Sequence, residues 1–300
     1  MTDAVIQGVL LGGHYAVLAA GLSLMFGVMR FINLAHGDLA IVGAFLVLWL
    51  VQGLALSPWL SIALMLPVMG LLGWLLHRAL FARTLRAGIL LPLLVTFGLG
   101  AVLQNTLFGL AGSDTRSLGS HLGSLAWASW ELPGDLIVGQ LPVLSFGAAL
   151  LVLGALHLLL TRSRLGRAMR AAASDPEAAQ LCGVDAAAVH RMTSAIAVAL
   201  AGLAGAMLAL RASIDPYAGP AQLIFAFEAV VIGGVGSLWG TLVGGVVLGV
   251  AQNLGAYVTP QGFELAGHLV FLVVLAVRLW RAHRSGLGLP AWPRLRRSAA

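Results

Sequence analysis

Gln222-Leu-Ile-Phe-Ala-Phe-Glu228-Ala-Val-Val-Ile-Gly233-Gly234-Val-Gly236-Ser237-Leu-Trp239-Gly240, continued from Thr241 to Val258, is the stretch on which the architecture turns. It is almost wholly apolar, and too long for one helix across a bilayer whose hydrocarbon core, about 30 Å thick, takes about 20 residues. Gly233, Gly234 and Gly236 interrupt it. They predict a sharp break, giving either two spans or one span plus a re-entrant segment.

Outward from this break the chain reads as a series of further spans. Candidates run 4–29, 33–54, 58–80, 89–110, 136–160, 189–210, 222–236, 239–258 and 263–281. The chain is 60% hydrophobic and 9% charged. A soluble domain carries about 25% charged residues, so the solvent around most of this chain is lipid. The fold class is therefore all-α: a polytopic transmembrane bundle of 8–10 spans, one domain over residues 1–300, with a glycine-broken helix near the C-terminus. Met1-Thr2-Asp3 has no positive n-region, so the first apolar stretch is expected to stay as a span.

Arginine placement tests the count. With the N-terminus outside, nine crossings put fifteen arginines inside and only Arg116 and Arg211 outside. That is a strong positive-inside bias. Reading 222–258 as one span would put the tail on the wrong side. Ten spans with an inside N-terminus is the alternative. Two loops stand out: 111–135 as an outer interfacial cap, and 161–190 as the largest inner loop, ahead of a basic inner tail over 282–300. In the inner loop, Ser174 or Asp175 before Pro176 fits a helix start, with Glu177 in its first turn.

Composition excludes several chemistries. All 17 cationic residues are arginine. Without lysine there is no phosphate-binding loop of the P-loop type and no lysine Schiff base. The arginines lie at span ends rather than on one face, which argues against nucleic-acid binding. Cys182 is the only cysteine, leaving no internal disulfide and no cysteine-rich metal site. Signatures of an enzyme are missing, so no catalytic residue, metal or cofactor is expected on this chain.

Ionisable groups within spans are costly and are functional candidates. Asn33, His36 and Asp38 stand at the start of the second span, read as lying near the interface; they form either a polar cap or a gate where two spans reverse. Glu228 has no sequence-local basic partner. It faces the bundle interior, a water-filled cavity or Arg211, either as a structural hydrogen bond or as part of a pathway. The amide pairs Gln104-Asn105 and Gln252-Asn253 read as interhelical hydrogen bonds. His14, His157 and His268 read as isolated, satisfied or interfacial histidines.

Gly21-Leu-Ser-Leu-Met-Phe-Gly-Val-Met-Arg-Phe-Ile-Asn-Leu-Ala-His-Gly-Asp38 resembles the N-terminal signature of the LivH family, permeases of high-affinity branched-chain amino acid transporters. Asp175-Pro-Glu-Ala-Ala-Gln-Leu-Cys-Gly183 is similar to that family's cytoplasmic loop, and Val230-Val-Ile-Gly-Gly-Val-Gly-Ser-Leu-Trp-Gly-Thr-Leu-Val-Gly-Gly245 to its C-terminal glycine-rich motif. Glu177, Ala178, Ala179 and Gly183 match the first half of the loop through which importer permeases contact their ATPase; the Ile-x-Leu-Pro ending of the longer pattern is missing. The resemblance implies an inner-membrane importer of five proteins. They are this permease, a second LivM-like permease, two cytoplasmic ATPases that bind the ATP, and a periplasmic binding protein. Related importers carry amides, urea and small carboxylates. The rival reading is an ion-coupled secondary transporter, for which Glu228 and the Gly233–Gly236 break supply one half of the needed pattern.

Overall fold

The structure is a computed structural model and describes residues 1–85, 88, 90–132 and 136–284. Arg86, Pro133 and the part of the basic tail over 285–300 lie outside the described residues. The helices are α1 (Thr2–Met29), α2 (His36–Leu54), α3 (Pro58–Leu76), α4 (Ala82–Thr84), α5 (Leu90–Ala111), α6 (Gln140–Arg162), α7 (Arg164–Ser174), α8 (Pro176–Leu181), α9 (Ala186–Arg211), α10 (Gly219–Gly233), α11 (Leu238–Val258) and α12 (Gly262–Arg284). A π-helical turn over His77–Phe81 joins α3 to α4 in one rod. Two short antiparallel strands, β1 (Ser129–Leu132) and β2 (Leu136–Gly139), form a hairpin in the loop before α6.

Eight of the described helices are long and apolar enough to cross a membrane. The ninth candidate span is the 15-residue α10, which at 1.5 Å per residue is about 22 Å long. The predicted break is therefore a helical hairpin, with a short α10 followed by a full-length α11. Its turn needs glycine: Gly234 has φ 100° and Gly236 φ 79°, left-handed values that a side chain would disfavour. Ser237 then caps α11 by accepting from Gly240 N–H at 3.0 Å. Two other predicted limits shift. The second span starts at His36 rather than residue 33, and residues 136–139 are strand rather than helix.

α1 and α9 are buried along most of their length, while α5, α6 and α12 keep broad apolar faces outward. The centre is held by backbone-to-backbone contact through small residues, the packing mode expected in lipid. α1 runs antiparallel to α11: Gly8 lies on Val250, Gly12 on Val246, and Gly245 and Gly249 return the contact on Gly12 and Gly8. It is also antiparallel to α9, with Gly21 on Ala197 and Met29 beside Ser194. α2 crosses α9 where Gly43 meets Gly202 and Gly205 meets Ala40. α3 starts where α9 ends, with Met65 against Gly202 and Gly73 against Ser194.

These directions gather Arg30, Arg78, Arg83, Arg162, Arg164, Arg167, Arg170, Arg191 and Arg278 at one end of the bundle. Arg116 and Arg211 lie at the other, where Arg116 and Ile214 pair through their backbones.

Candidate functional site

α1 stops at Arg30, whose φ of 51° is left-handed and whose N–H bonds back to the Phe26 carbonyl. The chain then turns back along α1 instead of leaving the bundle. The His36 ring bonds the Leu18 carbonyl at 3.0 Å, and a methyl on Gly21 would stand 2.9 Å from that ring. Leu18 is about 16 Å along α1 from Met29, at 1.5 Å per residue. The first turn of α2 therefore lies deep inside the bundle, not near the interface where hydropathy had put it. Asn33 and His36 are fully buried and Asp38 is 4% exposed.

Non-helical backbone at this depth must find partners within the protein. Leu34 N–H donates to Thr96 Oγ1 on α5 at 3.1 Å, and Ala35 N–H donates to Asn33 Oδ1 at 3.1 Å. Asp38 Oδ1 accepts from Gln104 Nε2 on α5 at 2.9 Å. A methyl on Gly100 would stand 2.5 Å from Asp38 Oδ2, and Gly219, the first residue of α10, packs directly on the same carboxylate.

α10 runs parallel to α1, as His14 with Gln222, Tyr15 with Phe225 and Ser23 with Gly236 all show. α2 points the other way, toward the start of α3. Two helices of opposite direction thus begin side by side in the interior, and neither has a side-chain cap. Their N-terminal ends, each carrying partial positive charge, meet at the Asp38 carboxylate.

The structure keeps Glu228 apart from this junction. It lies on α10 facing α12, where Oε1 pairs with His268 Nδ1 at 2.5 Å, while buried Oε2 has no partner among the described residues. Its partner is thus His268, not Arg211, and His268 is not the isolated histidine of the sequence reading. His14 also has a partner, Gln222 at 3.2 Å. The amide pairs divide. Gln104 and Gln252 bond across helices, to Asp38 and to Tyr15, whereas Asn105 and Asn253 bond carbonyls of their own helices.

At the glycine break, Gly233 packs against the Gly240 backbone and Gly236 N–H donates to Ser23 Oγ on α1 at 3.1 Å. Arg278 of α12 donates to the Ile232 carbonyl at 2.9 Å, a cation at the negative end of α10. Sequence reading missed this cap. An intramembrane arginine less than two turns from a span's end was the signal available for it.

The 161–190 loop forms two short helices. Asp175 caps α8 by accepting from Glu177 and Ala178 N–H, each at 3.0 Å. Glu177 and Ala178 are exposed, and Ala179 is buried. Leu181, also missed, is 90% exposed at the tip of α8, next to the turn at Gly183 with φ 83°.

Residues 4–278 match the family described as "Branched-chain amino acid transport system / permease component". The chain belongs to this permease family. It is 31% identical over 283 residues to the high-affinity branched-chain amino acid transport system permease protein BraD of Pseudomonas aeruginosa, covering 90% of this chain and 92% of that protein. The corresponding permease protein LivH of Escherichia coli K12 is 28% identical over 281 residues, covering 90% and 91%. A likeness of 27% over 292 residues extends to LivM of Salmonella typhimurium, covering 89% of this permease and 66% of that protein. No solved structure matches the chain. The matched region contains both the interior junction at Asp38 and the glycine break, so both are parts of a transport subunit, not of an enzyme.

Proposed function

We propose that this permease forms one half of the membrane pathway of an ATP-driven importer of branched-chain amino acids. A periplasmic binding protein would deliver the substrate, and two cytoplasmic ATPases would power the cycle. The observation that carries this reading is the match of residues 4–278 to the permease family. That assignment favours the importer over an ion-coupled transporter. The arginine-rich end of the bundle then faces the cytoplasm, along with the C-terminus, in accordance with the positive-inside rule. The bilayer is a bacterial inner membrane.

The other half of the pathway would be a second, LivM-like permease. α5 supports this. It leans on the bundle through Thr96, Gly100 and Gln104, yet Asn105 and Thr106 are exposed within the span, about a turn and a half from the end of α5. Polar groups at that depth face a partner or a water-filled path rather than lipid. The Asp38 junction would be the hinge between inward- and outward-open states, because the helices that meet there extend to opposite sides of the membrane. Glu228 would steady α10 against α12.

Purification of the tagged chain from native membranes in mild detergent tests the proposal. An ATPase and a second permease are expected to accompany it, with measurable ATP hydrolysis in the eluate. A chain that elutes alone under several mild conditions would sink the importer reading.

Coupling through α8 gives a sharper test. Leu181→Asp, Glu177→Ala and Gly183→Val are expected to cut uptake about tenfold or more while the permease stays inserted. The Gly183 substitution acts through its backbone, since an added Cβ there meets no atom within 4 Å but valine resists the left-handed conformation. Unchanged uptake in all three, with ATPase still bound, would remove α8 as the docking element.

A further inference from the structure

A cavity of about 290 Å³ lies at the arginine-rich end of the bundle, where α1, α6 and α7 meet the turn into α11. Small residues of α1 form its floor, among them Ala20 and Gly27, and Leu156, Leu160 and Met169 its walls. Its polar lining is Ser23 of α1, His157 and Thr161 of α6, and Arg170 of α7. The glycine break closes it at Gly236.

Three observations point to the occupant. The cavity is lined mainly by apolar side chains, among them Leu24, Val28, Leu156 and Leu160, and α6 and α11 beside it keep apolar side chains exposed, with Leu158 at 57% and Val243 at 60%, a setting for hydrocarbon rather than water. Trp239 packs against His157, ring centroids 5.8 Å apart, and tryptophan favours headgroup depth. Arg164, Arg167 and Arg170 follow one another at intervals of three along the outer side of α7, while Gly166, Met169 and Ala172 are buried beneath. None of these arginines, nor Arg162, pairs with a carboxylate among the described residues.

We infer that this cleft binds one anionic phospholipid of the surrounding bilayer, its phosphate on Arg170 and an acyl chain along α1, between α6 and the start of α11. Basic pockets between spans on the cytoplasmic side suit such headgroups, and arginine binds phosphate through paired, charge-assisted hydrogen bonds. The lipid touches both α7, in the inner loop, and the Gly236 turn. It therefore bridges the loop and the hairpin as a separable component. The inference does not depend on which solute the permease carries.

Phosphatidylglycerol titrated into the purified full chain, with any subunits that accompany it, tests this by native mass spectrometry, against phosphatidylcholine as the zwitterionic control. One tightly held phosphatidylglycerol per chain is expected, preferred at least tenfold over phosphatidylcholine. Arg170→Gln is expected to reduce that preference about tenfold. Gly27→Leu should exclude the lipid altogether, because a Cβ at Gly27 meets only the Gly236 backbone at 3.6 Å and the rest of the side chain extends into the cleft. Arg164→Gln, outside the lining, should retain binding. Equal retention of the two lipids by the wild-type chain would overturn the inference. So would retention unchanged by both Arg170→Gln and Gly27→Leu in proteins that elute as the wild type does.

Discussion

Gly205→Leu is expected to prevent assembly of the bundle. At the crossing of α2 and α9, an added Cβ on Gly205 would fall on the Ala40 carbonyl and the α2 backbone. Backbone cannot turn aside as a flexible side chain can, so the two helices would have to part. Overpacking of an ordinary core costs about 1–3 kcal/mol; here it displaces α2, which carries the buried junction with it. Neighbouring space gives no relief. Gly202 is pressed by Gly43 on one side and by Met65 and Met69 on the other. Gly147→Leu on α6, where an added Cβ meets nothing within 4 Å, is the matched control and should behave as wild type. Size-exclusion profiles and melting temperatures in mild detergent make the comparison. Equal behaviour of the two variants would refute backbone contact as the basis of the α2–α9 crossing.

The second large effect is expected at Asp38. Its carboxylate accepts from Gln104 and sits where two uncapped helices begin. A hydrogen bond to a charged group contributes about 1.5–3 kcal/mol, and each helix terminus adds about 0.3–1 kcal/mol. Asp38→Ala removes all of these terms and leaves the Gln104 amide without its acceptor. Uptake should fall at least tenfold at equal membrane abundance, with a lowered melting temperature. Asp38→Asn separates the contributions, since it retains an acceptor for Gln104 but no charge. Recovery of uptake by Asn would assign the role to the hydrogen bond, and failure to recover would assign it to charge at the paired termini. His36→Ala should act in the same direction, because the ring holds the chain against Leu18. Wild-type uptake by both alanine variants would remove the junction from the transport cycle.

Hydropathy located nearly every span, and glycine chemistry located the break at Gly233–Gly236, because both are local properties. Depth was not legible. A window average shows that α2 is apolar but not that it starts beside Leu18, since that depends on six non-helical residues doubling back along α1. Partners were also hidden. Glu228 and His268 are 40 positions apart and Asp38 and Gln104 are 66 apart, and no periodicity connects such distances. The cost of ionisable groups within spans singled out Asn33, His36 and Asp38, but only the packing of α5 and α10 explains why a carboxylate is tolerated there. Leu181 looked unremarkable as one more apolar residue until its exposure was known.

The interior start of α2 also bears on how the protein is made. Leu34 needs the Thr96 hydroxyl, and Asp38 needs Gln104 and the end of α10. The nascent chain presents neither when α1 and α2 first enter the bilayer. The opening pair of helices therefore enters the membrane with polar backbone still unmatched, and only the later arrival of α5 and α10 completes it. Biogenesis of this permease is consequently non-local. Its N-terminal signature completes its contacts only once α10 has been made, and a ribosome stalled before α10 would leave a chain that is inserted but unfinished.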